Sequence, residues 1–429
     1  MSVIEAPELP NTGEVAKQPA RKRMIDRLQE YPRPVWWLAA AVLILWTGRG
    51  MVVPFLIIYF SQIVGINATT VGTVIAGTGM IGVVFVLGIA GQIDKYGGKP
   101  VLIVTVSMIA LATLLSAWAH SITTFLLVSL LLYCASQSYW PSIDTVIASV
   151  TSTDRVVPAM SLVRVGMAVG IGMGGLAGGL LVTGGGMPEY QLLFIVSAAL
   201  ISTGAVMIWR AVPYVPPTSV SETGEPGTWS DVLSDRTFIY AMVVLFALVL
   251  GFTQLNMSVP AFLRAHAGIS EGRIGAMFFM NTIIVVLAQV PVAARVDKGN
   301  VGRLLAVSSI IWSLAFVIMI ATPQISSAAV LVFLGFTFGE LIFMPLTAVV
   351  SIRLAPIHLR GRYFSLLSIT WGASWAIATL TAGIALDLPR PILLWPAMAI
   401  VMLVGAGAAL RLRNNLRLRP PAPVEQAAD

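Results

Sequence analysis

The stretch "GQIDKYGGKP", Gly91–Pro100, is a polar, charged break between two long apolar runs. Asp94, Lys95 and Lys99 are crowded among three glycines and a proline. What lies on either side decides the fold. Each flanking run holds about 20 or more apolar residues, enough to cross a ~30 Å bilayer core as a helix. The same pattern fills the 429-residue chain, which is 57% hydrophobic and 10% charged. A soluble domain carries about 25% charged residues, so this chain cannot cover a water-facing surface. The runs are continuous rather than alternating ~10-residue segments, which excludes a spanning sheet. The decapeptide is therefore a connection between membrane helices.

Breaking the sequence at polar, Gly and Pro positions gives an all-α polytopic membrane protein of twelve spans. They run at about 35–62, 68–93, 100–119, 122–150, 157–182 and 190–211, then 237–264, 270–295, 302–322, 326–353, 361–386 and 391–411. The domain map follows: an N-terminal tail at 1–34, a six-helix bundle at 35–211, a linker at 212–236, a second bundle at 237–412 and a C-terminal tail at 413–429. The linker contains "PYVPPTSVSETGEPGTWSDVLSD" (Pro213–Asp235), rich in Pro, Ser, Thr and Gly. The N-terminal tail lacks the apolar core and cleavage site of a signal peptide. It reads as disordered, with a short interfacial helix at "RKRMIDRLQEY" (Arg21–Tyr31). The single cysteine, Cys134, lies inside a span. That rules out an intrachain disulfide and a cysteine-based metal site.

Lys and Arg set the expected orientation. They fill the N-terminal tail, the 2–3, 4–5, 8–9 and 10–11 connections, the linker flanks and "RLRNNLRLR" (Arg411–Arg419). The opposite side holds only Arg264, Arg273 and Arg390. Positive residues mark the cytoplasmic side, so both termini are expected in the cytoplasm of a cell with the chain in its inner membrane. The net charge of +7 thereby becomes a topological feature with anionic lipid headgroups as partners. It is not a nucleic-acid footprint.

The decapeptide has an echo. Asp94-Lys95 after span 2 matches Asp297-Lys298 after span 8, and Pro141 in span 4 matches Pro345 in span 10. Arg155 and Arg360 open spans 5 and 11, and Gly178 and Gly383 sit inside those spans. The four offsets are 203, 204, 205 and 205 residues. Their order and constancy indicate two pseudo-symmetric six-helix bundles, the architecture of transporters that rock around a central site.

On these residues the chain resembles the major facilitator superfamily from about Trp36 to Leu412. Asp94, Lys95, Gly97 and Lys99 fall on the positions of that family's signature between helices 2 and 3. Ala90 stands where the family usually has Gly, and Gly98 where it often has a basic residue. "GIGMGGLAGG" (Gly170–Gly179) and "GELIFMP" (Gly339–Pro345) resemble helices 5 and 10 of its drug–proton antiporter branch. Two departures stand out. Gly175 replaces the proline of the helix 5 pattern, and Cys134 occupies the position of a helix 4 Arg. The resemblance implies a gating latch, in which Asp94 closes against the start of helix 11 at Arg360-Gly361 in the outward-facing form. Lys95, Gly97, Lys99 and Asp297 complete the two related loops. The bland alternative is an ordinary turn with topogenic charge.

Ionisable residues inside spans cost roughly 2.5–3.5 kcal/mol each at helix centre, so they face cavities or partners. Glu340, in mid-span, is the main proton-coupling candidate, the alternative being a structural ion pair with an Arg. Asp144 is a second protonation site or a partner of Arg164. Arg49 binds an anionic group of a substrate or holds a carboxylate. Arg164 snorkels to the interface. Gln254, Asn256, Asn281 and Gln289 are polar candidates for a cavity wall, with interhelical hydrogen bonding as the competing role. Trp371 and Trp375, four residues apart, share a helix face and line a cavity or face lipid.

No phosphate loop, metal-spaced His pair or nucleophile–base set is present in the sequence, so no cofactor or metal is expected and an enzyme is disfavoured. The expectation is a monomeric secondary transporter whose partners are a small-molecule substrate, protons and lipids. It would export amphipathic or lipophilic compounds in exchange for protons. The alternative is a dedicated metabolite or lipid transporter using uniport or symport.

Overall fold

The computed structural model describes residues 32–151, 156–216, 229–296, 300–354 and 360–417. Among them there is no strand, and twelve helices are long and apolar enough to span a bilayer. We number them α1 (Arg33–Val52, continued irregularly to Ile63), α2 (Ala68–Tyr96), α3 (Gly98–Ser116), α4 (Ile122–Ser149), α5 (Val156–Val182) and α6 (Met187–Ala211). The second set is α7 (Arg236–Thr253, resumed at Ser258–His266), α8 (Glu271–Val296), α9 (Val301–Met319), α10 (Ala328–Leu354), α11 (Arg360–Asp387) and α12 (Leu394–Arg417). Backbone groups in hydrocarbon must bond within their own segment, which is why every crossing is helical. α12 runs on to Arg417, into the segment assigned to the C-terminal tail. A short helix at Trp229–Ser234 lies in the segment expected to be linker, with Val232 buried. The disordered tail and interfacial helix assigned to residues 1–31 lie outside the described residues.

Helix neighbours repeat between the halves. In the first, α1 packs on α5 and α6, α3 on α4 and α6, and α2 on α4. In the second, α7 packs on α11 and α12, α9 on α10 and α12, and α8 on α10. Adding six to each label of the first set gives the second, so the duplication legible in the sequence is a duplication of packing. The first helix of each bundle is also broken at an equivalent place. Met51-Val52-Val53-Pro54 interrupts α1 with a 3-10 turn, and Met257-Ser258-Val259-Pro260 follows the break in α7. Proline has no N–H and crowds the carbonyl four residues back, which accounts for two breaks that the apolar pattern concealed.

The opening decapeptide is almost wholly helical. α2 continues to Tyr96 and α3 starts at Gly98, leaving Gly97 as the whole connection. Its φ of +82° is in the left-handed region that glycine alone enters cheaply. Pro100 falls in the first turn of α3, where its missing N–H costs nothing.

The bundles meet along α2–α11 and α5–α8. The glycine run of α5 is two-sided. Gly170, Gly174 and Gly178 lie against the α1 backbone, whereas Gly172, Gly175 and Gly179 lie against Thr282, Phe278 and the start of α8. α5 is one continuous helix through Gly175. At the α2–α11 crossing, a Cβ on Gly72 would lie 2.6 Å from the Thr379 carbonyl oxygen. We call the end that carries residues 33 and 417 the termini side and the other the far side. The hydrogen bonds that cross between bundles among the described residues involve Ala68, Thr69, Ala168, Tyr190, Glu271, Thr282, Gly383 and Asp387. These lie at the far side or at mid-depth.

A Cβ on Gly174 would meet the Met51 nitrogen at 2.8 Å, whereas one on Gly77 would meet nothing within 4 Å. Gly174→Ala is therefore expected to destabilise the first bundle by about 1–3 kcal/mol, the usual cost of overpacking. Gly77→Ala should be neutral or slightly stabilising. Thermal unfolding in detergent, followed by size-exclusion, checks the contrast.

Candidate functional site

The mid-depth polar residues form two clusters, one in each bundle. In the second, the Asn281 amide of α8 donates to Glu340 Oε2 at 3.1 Å and to Thr337 Oγ1 at 2.9 Å, both on α10. Thr337 is fully buried and Glu340 is half-buried. The neighbouring Phe338 faces outward and is 50% exposed, as a lipid-facing side chain should be. Glu340 therefore turns inward, to α8, and its partner is an amide rather than the arginine of the alternative reading. The next residue on α8 is Thr282, which donates to the Ala168 carbonyl of α5 at 3.4 Å and packs on Gly172. The carboxyl is thus one residue removed from the seam between the bundles.

In the first bundle, Arg49 of α1 donates from Nη1 to Ser136 Oγ of α4 at 3.1 Å. Its guanidinium stands 5.0 Å from the centre of the Trp46 ring, a favourable cation–π arrangement. Trp46 in turn donates to the Tyr139 hydroxyl at 3.0 Å. Gly48 and Gly50 pack on α6 and α5 on either side, which turns the intervening Arg49 towards α4. Among the described residues, no carboxylate pairs with it. The two clusters occupy equivalent places: Ser136 is five residues before Pro141, and Glu340 five before Pro345. The position that holds a serine bonded to a cation in one bundle holds an acid bonded to an amide in the other.

Asp144 and Arg164 line one small pocket between α1, α4 and α5, with Tyr139, Trp140 and Met167. Arg164 is exposed. Gln254 is fully buried at the break in α7. Its amide donates to Thr381 Oγ1 at 3.2 Å and its carbonyl accepts from Ser258, so it ties the broken helix to α11. Asn256 is half-buried in the same break. Gln289 donates weakly to the Leu341 carbonyl at 3.5 Å. Trp371 and Trp375 are half-buried, and Trp371 stands against Phe252 and Phe343 in an aromatic cluster of the second bundle.

The latch residues are distributed as follows. Asp94 lies in the last turn of α2, and Arg360 is the first residue of α11. Asp297 lies outside the described residues. Lys99 donates to the Trp209 carbonyl at 2.8 Å, joining α3 to α6 within one bundle. The Lys95 ammonium rests over its neighbour Tyr96, 4.9 Å from the ring centre. Sequence reasoning missed a far-side set, Tyr190, Arg264, Glu271 and Asp387. Arg264 and Glu271 form an ion pair at 2.7 Å, and Tyr190 donates to the same carboxylate oxygen at 3.3 Å. Among the described residues, no three His, Cys, Asp or Glu side chains are grouped so as to hold a metal ion.

The family model of the Major Facilitator Superfamily matches residues 38–379, and again residues 241–428. The chain belongs to the Major Facilitator Superfamily. It is similar to the uncharacterized MFS-type transporter YdeE of Escherichia coli (strain K12), at 24% identity over 89% of this chain and 95% of that protein. The uncharacterized MFS-type transporter YqjV of Bacillus subtilis (strain 168) is 22% identical over 83% and 88%. Among solved structures, a POT family transporter in complex with 5-aminolevulinic acid superposes with a TM-score of 0.74 at 12% identity, covering 90% of this chain and 97% of that one. The nucleoside transporter NupG gives 0.65 at 16%, covering 90% and 98%. The superfamily makes this chain a multi-pass membrane transporter, and the superpositions agree with its fold.

Hydrogen bonds between membrane helices are worth about 0.6 kcal/mol on average. Asn281→Ala, which removes two such bonds, is expected to lower stability by about 1.2 kcal/mol in the parent chain. In a Glu340→Ala, Thr337→Val background the same change should cost almost nothing, because its partners are gone. A double-mutant cycle on unfolding in detergent measures the coupling.

Proposed function

We propose that the chain is a secondary active transporter of a cytoplasmic membrane, with both termini cytoplasmic. It exports amphipathic or lipophilic small molecules in exchange for protons by alternating access. The observation that supports this reading most is the Glu340–Asn281 bond beside the α5–α8 seam. A carboxyl exchanging its proton there changes what Asn281 has to answer, and Asn281 adjoins Thr282 on the surface where the bundles meet. α2, α5, α8 and α11 form the seams, and in this reading α1, α4, α7 and α10 line the central chamber. Protonation of Glu340 would remove a charge from that chamber and favour one facing state. Substrate would favour the deprotonated carboxyl. Asp144 is a second proton site on the termini side of the first bundle, and Asp94 a latch that closes against the start of α11 when the termini side shuts.

Arg49 favours a second reading. A guanidinium that bonds one serine and stacks on one tryptophan retains donors for an anion. A dedicated metabolite or lipid transporter would use it as the hook for an acidic substrate group.

Purified protein in liposomes with an imposed pH gradient, offered lipophilic cations, organic anions and lipids, separates the two readings. Export of cationic amphiphiles supports the first and uptake of anions the second. Glu340→Gln is expected to abolish pH-driven transport while leaving the protein folded, and undiminished transport would eliminate Glu340 as the coupling site. Asp94→Asn is expected to change the balance of facing states without changing substrate preference.

A further inference from the structure

The two seams between the bundles are built on equivalent residues but closed by different chemistry. On one, the end of α11 lies over the start of α2, with Gly383 against Ala68 and Gly72. On the other, the end of α5 lies over the start of α8, with Gly179 against Glu271 and Gly275. Ala68 and Glu271 are 203 residues apart, as are Gly72 and Gly275, and Thr183 and Asp387 are 204 apart. The last pair differs in kind. Thr183 turns its hydroxyl back to the Gly179 carbonyl of its own helix. Asp387 instead reaches across, and its carboxylate accepts from the Thr69 N–H at 2.6 Å and the Ala68 N–H at 3.3 Å.

Those two N–H groups belong to the first turn of α2, where no intrahelical acceptor exists. Asn67 caps only the third, accepting from the Thr70 N–H at 3.2 Å. The cap of α2 is therefore shared between its own bundle and the opposite one. An anion at a helix N-terminus also meets the positive end of the helix dipole. At the α8 seam the negative charge of Glu271 is answered by Arg264 within the second bundle. What crosses between bundles at that seam among the described residues is neutral: the Tyr190 hydroxyl at the far side and the Thr282 hydroxyl at mid-depth. Glu271 Oε2 is buried without a hydrogen-bond partner among the described residues, so separating that seam gives up little.

We infer that Asp387 is a positioning residue for transport, the far-side gate that holds the bundles together by capping α2 and lets go when the far side opens. Breaking the contact is reversible at modest cost, because the carboxylate and the Thr69 N–H, which makes the shorter of the two bonds, lie where water reaches them, whereas Ala68 is buried. Asp387 is exposed and Thr69 half-buried in the closed arrangement. The Tyr190–Glu271 contact guides the second seam. This inference does not depend on Glu340 or on the identity of the substrate.

The test is the distance between the far-side ends of the bundles, read by pulsed EPR in lipid. Spin labels go on Thr123→Cys and Gln324→Cys in a Cys134→Ser background. Losing an N-cap acceptor typically shifts an equilibrium roughly fivefold, so Asp387→Ala should raise the far-open population by about that factor. Asp387→Asn keeps an acceptor oxygen and should shift it less. Asn67→Ala removes a cap that lies wholly within the first bundle. It should lower thermal stability and leave the distance distribution unchanged. An unchanged distribution in Asp387→Ala, or an equal shift in Asn67→Ala, overturns the inference. Should Asp387→Ala fail to fold, Asp387→Asn, which removes the charge facing the α2 N-terminus, is read in its place, and an unchanged distribution there overturns the inference.

Discussion

A carboxyl half-way across a bilayer has no bulk water to answer it, and in this chain Glu340 is answered by the Asn281 amide. Everything proposed about coupling rests on that bond and on where it is placed. Had Glu340 faced lipid beside Phe338, it would be a costly ornament. Had it paired with an arginine, it would be a fixed structural charge. Bonded to a neutral amide on α8, it sits one residue from the surface where that helix meets the opposite bundle. A local change of charge is therefore adjacent to the element that must move.

Duplication supplies the machine and divergence the chemistry. Helix neighbours, proline breaks and seam glycines recur in both bundles at offsets of about two hundred residues. The side chains at equivalent places do not. Ser136 and Glu340 hold matching positions, as do Thr183 and Asp387, and in each pair one bundle kept a hydroxyl and the other carries an acid. Two like halves give two facing states of similar energy. Unlike side chains let a ligand or a proton choose between them.

Much of this was legible in the sequence, for identifiable reasons. The spans were legible because apolar runs in a bilayer need to be continuous. Glu340 was legible because an acid amid Phe338, Leu341, Ile342 and Phe343 has no cheap explanation. The repeat was legible because Pro141 and Pro345 have narrow backbone roles and glycines recur in α5 and α11, although the glycine that plays the part of Gly383 at the seam is Gly179 rather than its neighbour Gly178. The helix breaks were hidden, because Pro54 and Pro260 sit in stretches that remain apolar throughout. Asn281 was recognised as polar, but nothing local specified its partner 59 residues away. Asp387 and Glu271 were passed over because acids at span ends are inexpensive and common. Their significance depends on partners in another bundle or another helix, and no periodicity carries that information. Gln254 shows the converse, a polar residue read as cavity wall or interhelical bond, whose amide holds a broken helix to α11.

The central claim is that two bundles rock about a chamber whose acid sets the balance between facing states. It is tested most directly by measuring two distances in the same protein as pH is varied, one across the far-side ends and one across the termini-side ends, from Lys95→Cys to Arg295→Cys. The account predicts that one distance lengthens as the other shortens, and that Glu340→Gln no longer responds to pH. Distances that stay fixed or widen together, or a Glu340→Gln protein that responds as the parent does, would contradict it.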